Sequence, residues 1–203
     1  MSVYDSRIMA GRILAKDYPV DADMVVGVPE SGNVAALGYS LESGIPYGIA
    51  FIKNSYVGRT FIKPKQSSRE TSVRIKLNVL KEAVKGKRVI MIDDSIVRGT
   101  TSARIVKMLK DAGASEVHVR ISSPPFMHPC YFGTDVPSDD QLIAHDHTVE
   151  QICEYIGADS LGYLDVNKLG DMIEGRTDYC DACFTGDYPI TPPSDDIRGE
   201  YDK

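Results

Sequence analysis

Apolar residues along this chain fall into two alternating patterns. Met24-Val25-Val26-Gly27-Val28, Arg88-Val89-Ile90-Met91-Ile92 and Glu116 to Ile121 are short runs rich in β-branched residues, which predicts buried strands. Ile45 to Ile52 is expected as a further strand. Between the strands, residues 33–42 and Thr100 to Ala112 carry helical spacing, the second through Ile105, Val106, Met108 and Leu109, with Gly113 at the helix stop. This alternation runs from about residue 20 to residue 122 and predicts an α/β fold, with a central, mostly parallel sheet flanked by helices.

The segment from Lys53 to Glu70 has neither period and reads as a long functional loop. Beyond Pro124-Pro125 the pattern shifts to shorter helical pieces, including Val149 to Tyr155 behind a Thr148/Gln151 capping box. The expected organisation is a core over residues 1–125, a small, mostly helical C-terminal extension over 126–186, and a Pro- and Asp-rich tail over 187–203 with little order of its own.

Composition narrows the function classes. A length of 203 residues, 42% hydrophobic, supports one main core. A net charge of −6 argues against a nucleic-acid face, which is normally basic. No apolar run approaches the roughly 18 residues of a membrane span, and Met1-Ser2-Val3-Tyr4-Asp5 lacks the regions of a signal peptide. The expectation is a cytoplasmic chain with no nucleic-acid or membrane partner. In that setting Cys130, Cys153, Cys180 and Cys183 read as reduced thiols or metal ligands rather than disulfides.

The chemistry concentrates after the strand at 88–92. Asp93 and Asp94 stand at its C-terminal end, the edge at which open α/β sheets bind ligands. Arg98-Gly99-Thr100-Thr101 then opens a helix, so backbone N–H groups, hydroxyls and a helix N-terminus converge as a phosphate cradle. Two like charges about 4 Å apart repel by about 4 kcal/mol at an effective dielectric near 20. Acids beside a phosphate therefore need hydroxyl donors or a hard cation such as Mg²⁺. A helix-capping role for Asp93-Asp94-Ser95 explains one acid, but not two together with Arg98 and the Thr pair. No Gly-x-Gly-x-x-Gly occurs, and Lys85-Gly86-Lys87 lacks P-loop spacing. His145-Asp146-His147 reads as a polar helix start, and Cys153 as a buried thiol.

At Asp93 to Thr101 the chain resembles the motif with which type I phosphoribosyltransferases bind 5-phosphoribosyl 1-pyrophosphate (PRPP). Its Asp-Asp-Ser-Ile-Val-Arg-Gly-Thr-Thr wording is similar to that of the amidophosphoribosyltransferases. The resemblance extends through Gly27 to Ser31, Lys53 to Ile62 and Ile121 to Pro125, and on to Ala182 to Gly186, nearly the whole chain.

The resemblance implies the type I phosphoribosyltransferase fold and transfer of the phosphoribosyl group of PRPP to ammonia, the first step of purine synthesis. It implies catalytic roles for Lys53, Tyr56 and Arg59, and substrate binding by Glu30, Ser31, Asp93, Asp94, Val97, Arg98, Gly99, Thr100 and Thr101. Ser31, Asp93 and Asp94 would meet Mg²⁺. Some members of the family hold a [4Fe–4S] cluster, which needs four thiolates. Here Cys130, Cys180 and Cys183 supply an incomplete set, so the cluster is expected in a full-length parent rather than in this chain.

The family's glutaminase domain carries a cysteine nucleophile, whereas this sequence has no cysteine before Cys130. Ammonia is therefore expected from a glutaminase domain missing here, and a homo-oligomer is the expected assembly. A nucleobase salvage phosphoribosyltransferase and a non-catalytic PRPP-binding regulator are the alternative readings.

Overall fold

The computed structural model describes residues 2–53, 77–133 and 138–192. Helix α1, Val3–Asp17, starts at a reciprocal cap. The Asp5 N–H donates to the Ser2 hydroxyl at 3.1 Å, and the Ser2 N–H donates to the Asp5 carboxylate at 3.1 Å. Strand β1, Met24–Gly27, leads to α2, Gly32–Ser43. The ribbon strands β2, Phe51–Lys53, and β3, Leu77–Val79, precede the short helix α3, Lys81–Val84. Then come β4, Arg88–Asp93, helix α4, Thr100–Asp111, and β5, Glu116–Ile121. Past a 3₁₀ turn at Asp139–Gln141 lie α5, Ile143–Asp146, α6, Val149–Ile156, and β6, Ser160–Tyr163. Helix α7, Ala182–Thr185, follows two further 3₁₀ turns.

The main sheet has the order β1-β4-β5-β6 with every pairing parallel. Alternate residues of a strand face opposite sides, and both sides are covered. Met24, Val26, Val89, Met91, Val117 and Val119 pack under α4 and α6 through Ile105, Leu109, Ile152 and Ile156. Val25, Ile90 and Ile92 pack under α1 and α2 through Leu14, Ala35 and Tyr39. Two-sided burial explains why these strands read as unbroken apolar runs.

α1 and α2 meet backbone to backbone. A Cβ on Gly11 would lie 1.9 Å from the Ala35 carbonyl oxygen, and one on Gly38 would lie 2.1 Å from that of Ile8. Beside this crossing the buried Arg120 guanidinium donates to the Ser160 hydroxyl at 2.9 Å and to the Tyr18 carbonyl at 3.3 Å, which joins β5, β6 and the end of α1.

The structure departs from the sequence expectation in three places. The chain begins with a 15-residue helix that the apolar pattern did not reveal. The strand expected over Ile45 to Ile52 contracts to Phe51–Lys53, because Val25 spends its N–H on the Pro46 carbonyl and takes the Gly48 N–H on its own, leaving only Tyr47 bridged to β1. The extension, expected to be mostly helical, also supplies β6 to the sheet. The expected loop beyond Lys53 and the tail beyond residue 192 lie outside the described residues. Among the described residues, no helix is long and apolar enough to cross a membrane.

Candidate functional site

The turns after β1 and β4 open side by side because these strands are neighbours. The Val28 N–H donates to the Ile92 carbonyl at 2.8 Å. α2 starts so close behind that a Cβ on Gly32 would lie 2.3 Å from the same oxygen. Between the two turns is a cavity of about 480 Å³. Val28, Pro29 and Ser31 line one wall, and residues 93–102 with Ile105 line the other. Ser31, Asp93, Asp94 and the whole 97–101 turn, chosen from sequence, therefore share one space.

Asp93 ends β4 and is 7% exposed. Its carboxylate accepts the Asp94 N–H at 2.9 Å, while its carbonyl accepts the Ser122 N–H at 3.0 Å and the Ser122 hydroxyl at 3.2 Å. Burial, followed by the neighbouring Asp94 carboxylate, pushes its pKa up to about 7. Asp94 is exposed and accepts from the Ser95 hydroxyl at 3.1 Å. It also lines a second cavity of about 390 Å³, formed with Ser122, the start of α1 and Met172.

Gly99 precedes α4 with φ of 75°, a left-handed conformation natural to glycine. A Cβ there would also lie 2.9 Å from both Ile143 and the Tyr155 ring. The first N–H groups of α4, which have no acceptor within the helix, face the cavity, and no acid occupies that first turn. Such an end attracts an anion through aligned donors and the helix dipole.

Lys53, at the end of β2, pairs with Glu30 at 2.8 Å. The Lys53 hydrogen bond and charge hold the Glu30 carboxyl below its usual range. Glu30 does not line the larger cavity. Lys53 instead lines a neighbouring cavity of about 220 Å³ that shares Pro29 with the first. Tyr56 and Arg59 lie outside the described residues. Sequence reasoning gave Ser122, within the resembling stretch Ile121 to Pro125, no role at the site, and it reaches Asp93 because β5 lies beside β4.

Among the described residues, no three His, Cys, Asp or Glu side chains are placed to hold a metal ion. Cys130 and Cys183 pack with Phe126 and Leu142. Burial, then the thiols of Cys130 and Cys180, pushes the Cys183 thiol up to about 11. Cys153 stands apart on α6, its thiol donating to the Ala158 carbonyl at 3.4 Å. The thiols as arranged do not fit a [4Fe–4S] cluster, which needs four. The Asp93 and Asp94 oxygens do fit Mg²⁺, which typically takes one or two carboxylates and completes its shell with substrate phosphates.

A family model described as phosphoribosyl transferase domain matches residues 5–122. The amidophosphoribosyltransferase of Archaeoglobus fulgidus is 55% identical over 201 residues, which are 98% of this chain and 44% of that protein. That of Synechocystis is 56% identical over 195 residues, 95% of this chain and 39% of that one. A solved glutamine PRPP amidotransferase from B. subtilis, complexed with ADP and GMP, superposes with a TM-score of 0.85 at 52% identity, covering 96% of this chain and 44% of that chain. The chain spans less than half the length of these three relatives.

Proposed function

Since the chain belongs to the phosphoribosyl transferase domain family, we propose that it transfers the phosphoribosyl group of PRPP to ammonia, giving 5-phosphoribosylamine and pyrophosphate. The observation that carries this reading is the single cavity holding Ser31, Asp93, Asp94 and the 97–101 turn. It occurs in a chain more than half identical to amidophosphoribosyltransferases.

In this reading the N-terminus of α4 and the hydroxyls of Thr100 and Thr101 take the 5-phosphate. Asp93 and Asp94 accept hydrogen bonds from the ribose hydroxyls and, with Ser31, would hold Mg²⁺. Bound Mg²⁺ supplies positive charge against the pyrophosphate oxygens. Lys53, with Tyr56 and Arg59, offsets the charge that develops on the leaving group. The bond from ribose C1 to the pyrophosphate oxygen breaks and its electron pair leaves with pyrophosphate. The ammonia lone pair forms the new C1–N bond, and the surplus proton passes to solvent. A cytoplasmic location and a homo-oligomer belong to the same proposal. An iron–sulfur cluster enters no step.

The test is pyrophosphate release from Mg²⁺ and PRPP, with ammonium or with a panel of nucleobases. Release that rises with ammonia is expected. Release with a base but not with ammonia would reassign the chain to nucleobase salvage. PRPP binding without release by either nucleophile would make it a PRPP-responsive binding module.

A further inference from the structure

Three consecutive residues of the extension, Gln141, Leu142 and Ile143, each touch the turn that closes the larger cavity. The Ile143 N–H donates to the Val97 carbonyl at 2.8 Å, and its side chain lies against Gly99. Leu142, 2% exposed, is the centre of a small apolar cluster against which Val97 packs. Gln141 accepts a hydrogen bond from the Arg98 guanidinium through Oε1. The other end of the same amide donates to the Ser138 hydroxyl at 3.2 Å, which fixes which way the amide points.

Arg98 is exposed and is the one long, charged side chain of this turn, with many rotamers to lose when it engages an anion. A partner that already holds the guanidinium at the cavity mouth removes part of that loss before ligand arrives. We propose that Gln141 is a positioning residue, acting through Arg98 on the affinity of the 97–101 turn for a sugar phosphate. Leu142 and Ile143 hold Gln141 in place by anchoring the chain at Val97. The inference rests on the phosphate-binding reading of that turn.

Calorimetric titration of the full chain with ribose 5-phosphate, and separately with pyrophosphate, tests it in wild type, Gln141→Leu, Arg98→Leu and the double variant. A full hydrogen bond to a charged group corresponds to about a ten- to hundredfold change in Kd, and losing only the preorganisation of Arg98 to about three- to tenfold. Gln141→Leu is expected to weaken ribose 5-phosphate by the smaller factor, to leave pyrophosphate within about twofold, and to add nothing to Arg98→Leu.

Wild-type affinity in Gln141→Leu would overturn the positioning role, as would an equal loss for both ligands or the same loss with Arg98 already removed. A wild-type chain that binds neither ligand would overturn the functional reading and this inference together. One that binds both, with Gln141→Leu unchanged, would overturn this inference alone.

Discussion

Lys53 and Glu30 form a 2.8 Å ion pair that ties the end of β2 to the turn after β1. The two side chains are 47% and 77% exposed, so their contribution to stability is small. Their significance is that Glu30 competes with any incoming anion for the Lys53 charge.

Glu30→Gln therefore shifts Tm by no more than about 2 °C and tightens pyrophosphate binding by about three- to tenfold, since a competitor for Lys53 and a source of like-charge repulsion both disappear. Differential scanning calorimetry and pyrophosphate titration measure the two effects. Weaker binding would show instead that the Glu30 carboxylate itself serves the ligand or its cation.

Asp93 gives a second prediction, through its raised pKa. From about pH 4 to about pH 7 the unfolded chain has released this proton while the folded chain retains it. Stability contributed by the neutral carboxyl is thus complete below pH 4 and lost as pH rises through 7. Asp93→Asn keeps an acceptor for the Asp94 N–H and removes the buried charge. At about pH 8 it should stabilise the ligand-free chain by about 1–3 kcal/mol, a gain that vanishes near pH 4. The same variant should lose Mg²⁺-dependent PRPP affinity. Urea unfolding at both pH values decides the first point, and a variant no more stable than wild type at pH 8 would contradict the buried-charge account.

The helix crossing supplies a third. Gly38→Ala places a methyl 2.1 Å from the Ile8 carbonyl oxygen, where only backbone can yield. Overpacking of this kind costs about 1–3 kcal/mol, more than the roughly 1 kcal/mol that alanine gains over glycine within a helix. The urea midpoint should fall with an unchanged m-value. A midpoint equal to wild type or higher would mean that α1 can move away from α2 without cost.

For the cysteines, anaerobic treatment with iron and sulfide should leave fewer than about four of each per chain. Cys183 resists ionisation, and Cys153 is engaged elsewhere with Ala158. Iron and sulfide analysis near four per chain, with the absorbance of a cluster, would show that the thiols rearrange around it.

Much of the site was legible because its chemistry is local. Asp93, Asp94 and the 97–101 turn are contiguous, and an apolar run followed by acids and a glycine-led helix start specifies where they sit. Ser31 lies in the turn that follows β1, and its role came from the resemblance of Gly27 to Ser31 to the family rather than from local chemistry. What escaped depends on partners far away in sequence. α1 mixes Arg7, Arg12 and Lys16 among its apolar residues, so its face is weak, and its clearest mark was the Ser2 to Asp5 cap. β6 is only four residues with a glycine inside. That Gly162 makes sense once the Tyr18 ring is seen 2.6 Å from where its Cβ would be. Gln141 carries no motif and matters only because the fold brings it to Arg98.

The direct backbone contact of α1 with α2 has a thermodynamic corollary. Where Gly11 and Gly38 bring the two backbones together no side chain cushions the crossing, so sliding of these helices, and with them of the wall that carries Ser31, is resisted before any ligand arrives. Lys53 instead sits on a two-stranded antiparallel ribbon outside the main sheet, paired over three residues per strand among the described residues, and a two-stranded ribbon is marginal alone. Ordering on binding is therefore concentrated at the Lys53 end. A ligand fragment recognised at the start of α4 should dock with little entropic penalty, while one that must recruit Lys53 should show a more favourable enthalpy offset by a larger entropy loss.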